Sequence, residues 1–156
     1  MRVHAHAHPN EVENFQVLKS IIGSKGEICF MSLEENKETV RRLAKAMNEK
    51  DLTAMDNLMA PDFDDPDRQL RGLDNYKKYE SMFIKGFPDV HLTIIDMIAK
   101  DDKVWVSIEV TGTHTGEYRG ISPTGKKIKL KSFMIWRITD GKIVARESQV
   151  WDFGFI

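Results

Sequence analysis

One cysteine in 156 residues, Cys29, has no partner within the chain. An intramolecular disulfide framework and a thiolate zinc cluster are therefore excluded, and a reducing compartment suits the composition. Charge of one sign is missing as well: 23 basic against 24 acidic residues give a formal net charge of -1. No overall field gathers nucleic acid or an anionic membrane surface. No apolar run approaches the roughly 20 residues that span a bilayer, and the first residues lack the continuous apolar stretch of a secretory signal. The expectation is a cytoplasmic protein with neither nucleic acid nor membrane as partner. A Gly-rich phosphate loop and a nucleophile elbow are absent too. What remains is a 41% hydrophobic chain, long enough for one domain with a real core.

Residues 1–30 read as an N-terminal extension, flexible or derived from expression, and residues 31–156 as the domain. His4, His6 and His8 alternate, so an extended backbone would project three imidazoles to one side, but a tail with incidental metal affinity accounts for them. Ser32-Leu33-Glu34-Glu35 is a capping box at a helix start. Val40, Leu43, Ala44 and Met47 then recur at helical spacing, with Arg41, Arg42 and Lys45 on the other faces. A second helix is predicted from Leu52, capped by Asp51 and closed at Ala60-Pro61. Phe63 to Asp67 reads as a loop or short edge strand. A third helix follows Gly72, carries Tyr76, Tyr79, Met82 and Phe83, and breaks at Gly86 and Pro88.

Strands take over after that. Leu92 to Ile98 is apolar; Val104, Val106, Ile108 and Val110 alternate with Trp105, Ser107 and Glu109; Asp101-Asp102 turns between the two. Ile128, Leu130, Met134, Trp136 and Ile138 alternate with Lys129, Lys131 and Arg137, and Asp140-Gly141 signals a tight turn before the last strand. Helices first and an antiparallel meander afterwards specify an α+β fold, a curved sheet with its concave face around the helices.

The stretch between the two middle strands is the most specific. Residues 111–128, Thr-Gly-Thr-His-Thr-Gly-Glu-Tyr-Arg-Gly-Ile-Ser-Pro-Thr-Gly-Lys-Lys-Ile, resemble a signature of the SnoaL-like polyketide cyclases, a branch of the nuclear transport factor two-like superfold. Glu34 to Phe155 follows the family's order of three helices and a long-stranded meander. The resemblance implies a cone with a deep apolar pocket, a small hydrophobic or polyketide-like ligand, and frequent pairing of such cones into homodimers. It also implies a carboxylate near the end of the last strand that acts as acid and base without metal or organic cofactor. The superfold hosts binding modules too, so a noncatalytic cone that holds a hydrophobic ligand or a partner protein is the alternative.

Asp152 is the residue closest to the implied catalyst. It sits one position further from Asp140-Gly141 than the family's spacing, a shift that a β-bulge would absorb. Without a bulge, Trp151 would share the pocket with Glu147 and Gln149, and Glu147 would be the carboxylate at the site. Burial among Trp105, Met134, Trp136 and Trp151 would raise a carboxyl's pKa towards neutrality, where it both takes and gives protons. His114, in phase with Val104 to Val110, is placed to donate to an enolate oxygen, or else to fix the Gly112 to Gly125 loop. Asp62, Asp64, Asp65 and Asp67 lack the spacing of a cation loop and read as a solvated acidic segment.

Overall fold

The computed structural model describes the backbone of residues 32–150 and side chains as far as Glu147. The predicted extension and its histidines, Trp151 and Asp152 lie outside those residues. Helix α1 covers residues 32–49. Val40, Leu43 and Ala46 are buried along one side, while Arg41, Arg42 and Lys45 are exposed. Near its end the Asn48 amide donates to the Leu92 carbonyl at 2.9 Å and accepts from the Leu92 N–H at 2.8 Å, so one side chain supplies a backbone's missing partners and ties helix to sheet.

Asp51 accepts from the N–H groups of Thr53 and Ala54, which fixes the turn before the second helix, while the N-cap position expected of it falls to Ala54 without a side-chain cap. Helix α2 nevertheless lasts a single turn, Met55–Leu58. Where the sequence predicts continuation to Ala60, strand β1 already runs over Met59–Asp65. Tertiary burial decides this: Met59, Phe63 and Asp65 are fully enclosed, and Pro61 is tolerated in a strand of irregular register but not inside a helix. A 3₁₀ turn, Pro66–Arg68, and a two-residue strand β2, Leu70–Arg71, lead into helix α3, Leu73–Gly86.

Four long strands complete the fold: β3 His91–Lys100, β4 Lys103–Thr113, β5 Lys127–Thr139 and β6 Lys142–Val150. Asp140 and Gly141 both have positive φ, 51° and 74°, as a twist-matched tight turn demands. Among the described residues the strands make one curved, unclosed sheet of order β2-β1-β6-β5-β4-β3. From β3 to β6 it is the predicted antiparallel meander. At β1 the prediction needs correcting, since β1 runs parallel to β6. Hydrophobic alternation identifies strands but carries no information on which distant strand lies beside them.

Two features of β6 position the site. Arg137 pairs with Ala145 and Ile138 with Ile143, which leaves Val144 as an extra residue in the ladder. This is the β-bulge that the spacing argument requires. Beyond it, Arg146 stands opposite Trp136, Ser148 opposite Met134 and Val150 opposite Ser132, all inward-facing positions of β5. Met134 and Trp136 of β5 close a core with Val104, Val106 and Ile108 of β4, Val40 and Leu43 of α1, and Phe63 and Tyr76.

Candidate active site

At one end of this core, four elements bring charges into the interior. Asp65 ends β1, Arg68 follows on the 3₁₀ turn, Tyr76 and Glu80 are one turn apart on the inner face of α3, and Arg146 comes from β6 just past the bulge. Asp65, Tyr76 and Arg146 are at most 1% exposed and Glu80 is 6% exposed. Arg146 Nη2 donates to Asp65 Oδ2 at 2.5 Å, and Arg68 Nη1 donates to the same oxygen at 3.2 Å. Asp65 Oδ1 accepts the Arg68 backbone N–H. The guanidinium of Arg146 is flanked by the rings of Tyr76, 5.4 Å away, and Trp136, 5.6 Å away, a favourable setting for a delocalised cation.

Tyr76 links the two halves of the cluster. Arg146 Nη1 donates to its hydroxyl oxygen at 3.5 Å, and the hydroxyl hydrogen-bonds Glu80. Burial pushes the Tyr76 pKa well above its ordinary value, so it is a neutral donor. Burial likewise lifts Glu80 to about 7, against the attraction of Arg68 and the Tyr76 hydrogen bond. Asp65 is raised by the same desolvation, with Arg68 opposing it, but two guanidiniums in direct contact keep it the ionised partner at neutral pH. The arrangement therefore has one fixed anion, two fixed cations and one carboxyl poised to exchange a proton near pH 7.

The signature loop is built against the other end of α3. The N–H groups of Thr115 and Gly116 both donate to the Gly86 carbonyl, which provides for the end of the helix. Gly116 is required there: a Cβ on it would lie 1.9 Å from the Lys85 carbonyl oxygen. His114 is 2% exposed, stacks on Phe87 with centroids 5.1 Å apart, and its Nδ1 lies 3.0 Å from Thr124 Oγ1. Its backbone N–H donates to Lys126 and its carbonyl accepts from Gly125. His114 thus holds the loop, while its Nε2 is buried with no hydrogen-bond partner among the described residues, as are Ser132 Oγ and Arg146 Nε.

The structure brings together only some of the residues singled out from the sequence. Met134 and Trp136 are buried on the inner face. Trp105 is not with them: it is 39% exposed on the outer face, because Val104, Val106 and Ile108 take the inward positions of β4. Glu147 also faces outward, with its side chain 49% exposed and 3.6 Å from Arg137, since the bulge hands the inward position to Arg146. The Gln149 backbone pairs with Phe133, and Trp151 and Asp152 are outside the described residues. Between α1 and the sheet a cavity of about 10 Å³ is lined by apolar side chains including Leu43, Ile108, Met134 and Trp136. That is scarcely room for one water. A wider hollow, about 470 Å³, lies on the surface beside Lys77, Lys78, Met82 and Lys85. It lacks any enclosed ionisable group. No cluster of three or more metal-ligating side chains occurs among the described residues.

The model of the SnoaL-like polyketide cyclase family matches residues 37–153. The chain belongs to that family. Among solved structures, AclR of Streptomyces galilaeus, a candidate hydroxylase, shares 29% identity and a TM-score of 0.68, over 76% of each chain. A candidate SnoaL-like polyketide cyclase of Jannaschia shares 20% identity with a TM-score of 0.70, over 76% of this chain and 86% of that one. IdmH of Streptomyces antibioticus, a candidate polyketide cyclase, shares 24% identity with a TM-score of 0.65, over 75% of this chain and 92% of that one. No curated protein matches. Among the described residues of this SnoaL-like chain, no helix is long and apolar enough to cross a membrane.

Sequence reasoning missed Glu80, Asp65 and Arg146. For Glu80 a signal exists: it lies four residues after Tyr76, on the helical stripe that the aromatic residues mark as inward. A charge on such a stripe is the informative exception to burial rules. Arg146 is hidden by the bulge, because counting by twos from the buried Ile143 selects Ala145 and Glu147 instead. Asp65 depends on a parallel pairing with no local sign at all.

Proposed function

We propose that this SnoaL-like protein is a small-molecule enzyme that moves protons on an enolisable carbonyl compound of polyketide type, in an aldol-type cyclisation, an isomerisation or a hydration. The observation that carries this reading is the enclosed ionisable group with partners: Glu80, titrating at about 7 beside Tyr76. A binding module has no use for a carboxyl kept at the midpoint of its titration, whereas a proton carrier is most effective there. The family's cyclase description and that of one structural neighbour support the same class, and the hydroxylase description of another supports an enzyme more generally. No organic cofactor or metal is required by such chemistry, since a methylene between carbonyls is already acidic and its enolate needs only hydrogen-bond donors.

In this reading Glu80 removes and returns the proton, and Asp152 is the second carboxylate. The bulge at Val144 supports Asp152 over Glu147 as the candidate, because Arg146, and not Glu147, stands opposite the buried Trp136 and residue 152 shares the even count of Arg146 in the sequence. Met134 and Trp136 would form the apolar wall, and His114 Nε2 a donor at the mouth. In the second reading, a noncatalytic cone, the nearly filled interior favours a partner protein over an enclosed hydrophobic ligand. Deuterium uptake at the methylene of a 1,3-dicarbonyl probe, followed by NMR, separates the two. The native protein should accelerate it, and Glu80→Gln should lose about 10²–10⁴-fold. If the native protein leaves the uncatalysed exchange rate unchanged for a range of probes, the binding reading takes over.

A further inference from the structure

The inner cluster has more positive charge than it can satisfy, and from this the class of ligand follows. Two guanidiniums, Arg68 and Arg146, share a single fixed carboxylate, Asp65, on whose Oδ2 both of them converge. The remaining acid, Glu80, is fully enclosed and bonds Tyr76 rather than either arginine. With Glu80 protonated these four side chains hold two guanidiniums against one carboxylate, and with Glu80 ionised they balance; Arg68 and Asp67, which also acts on Asp65, lie on the outer side at the 3₁₀ turn. Buried charge is tolerated when it is paired, and an excess cation is a standing demand for an anion.

Arg146 shows where that demand is directed. Of its donors, Nη2 reaches Asp65 at 2.5 Å and Nη1 makes a long contact to Tyr76 at 3.5 Å, while Nε is buried without a hydrogen-bond partner among the described residues. An unmatched guanidinium N–H in a dry interior costs about 1–3 kcal/mol, a penalty that natural structures normally avoid. The rings of Tyr76 and Trp136 lie with their centroids 5.4 and 5.6 Å from the guanidinium carbon. A further partner therefore reaches it through its in-plane donors, in the geometry that suits two oxygens of one planar group. Trp136 also lines the small apolar cavity under α1, so a ligand that opens that cavity has Arg146 as its neighbour.

We propose that Arg146 is an oxyanion receptor, with Nε engaging a negatively charged oxygen of the substrate. The inference rests on the enzyme reading for its chemistry but not for its binding. The oxygen has two sources, a carboxylate that the substrate carries or an enolate that forms as Glu80 takes the proton. In the second case the C–H electron pair moves into the carbon–carbon bond and the carbonyl oxygen receives the charge opposite Arg146. Protonation of Glu80 strengthens the site by removing one negative charge from a cluster whose other charged and titratable members are Asp65 of β1, Arg68 of the 3₁₀ turn, Tyr76 and Tyr79 of α3, and Arg146 of β6.

The test uses the full-length protein with three probes: benzoate, its neutral counterpart benzamide, and benzoylacetone, whose enolate is followed by ultraviolet absorption. Arg146→Lys keeps the charge and the Asp65 pair but removes Nε, and a melting curve establishes that it folds. A neutral pair variant, Asp65→Asn with Arg146→Gln, serves if it does not. If the carboxylate source holds, benzoate binds more tightly than benzamide, more so at pH 6 than at pH 8, and Arg146→Lys loses at least about tenfold in Kd. If the enolate source holds, benzoylacetone bound to the native protein ionises at lower pH than free in solution, and the variant abolishes the shift. Equal binding of benzoate and benzamide, together with an unshifted benzoylacetone, overturns the proposal. Deuterium exchange that persists in that event leaves the enzyme reading standing and makes Arg146 a structural ion pair; anion binding without exchange has the reverse meaning.

Discussion

Glu80 makes its presence felt in stability as well as in chemistry. Its folded pKa of about 7 lies above the ordinary 4.5, so between those values the folded state holds a proton that the unfolded chain releases. Stability is therefore highest below pH 4.5 as far as this group is concerned, falls as pH rises towards 7, and levels off above it. The size is up to roughly 3 kcal/mol. Glu80→Gln should lack this slope, so the gap between its melting temperature and the native one should widen in the variant's favour from pH 5 to pH 8. Parallel curves for the two proteins would mean that Glu80 titrates normally. Arg146→Ala has the opposite character: it leaves the buried Asp65 carboxylate with Arg68 as its remaining cation and should cost about 3 kcal/mol by chemical denaturation. Replacing Asp65 and Arg146 together by Asn and Met should recover most of that loss.

At the scale of elements, the loop after β4 and the bulge in β6 determine what reaches the inner face. Gly116→Ala drives a methyl group into the Lys85 carbonyl, and neither backbone has freedom to retreat while Thr115 and Gly116 bond the end of α3. A loss of roughly 1–3 kcal/mol is expected, with undocking of the loop visible as faster amide exchange at Thr115 and Gly116. Both elements illustrate what a sequence displays. Helix α3 and strands β3 to β6 were legible from hydrophobic period, and their turns from Asp101-Asp102 and Asp140-Gly141. The loop's signature was legible as a family resemblance, although the contact that demands its glycine involves a carbonyl some 30 residues earlier. The bulge was legible only as an anomaly in spacing. A single extra residue inverts the facing of everything beyond it, and for this reason Glu147 and Arg146 exchange places between expectation and structure. Helix α2 was overestimated because its propensity is weaker than the burial available to β1.

For the whole molecule, the outer face of the sheet is the unfinished surface. Ile98, Trp105 and Ile135 stand side by side across β3, β4 and β5, and Phe133 and Ile98 are 57% and 62% exposed. A contiguous apolar face of this kind marks an interaction surface. Twofold association is the commonest soluble arrangement, and we propose a second copy of this chain as the occupant. Light scattering at micromolar protein should give a dimer mass, and Trp105→Glu should reduce it to a monomer without loss of the folded circular dichroism spectrum. A monomeric native protein would remove the proposal. We propose that a chain beginning at Met31 melts as cooperatively as the full one, because the face of α1 that closes the core is carried by Val40, Leu43 and Ala46; aggregation of the shortened chain would show otherwise.

The parallel contact of β1 with β6 also has a kinetic meaning. Strands β3 to β6 form by successive hairpins between neighbours, whereas Asp65 and Arg146 are 81 residues apart in sequence and meet only when β1 docks along β6. Closing so large a loop is entropically slow, so it falls late in folding. The ion pair would be absent from the transition state, and weakening it should leave the refolding rate nearly unchanged while unfolding accelerates about a hundredfold for a loss of about 3 kcal/mol. The same lateness protects the chain: both charges stay hydrated until the apolar framework that will enclose them is already in place.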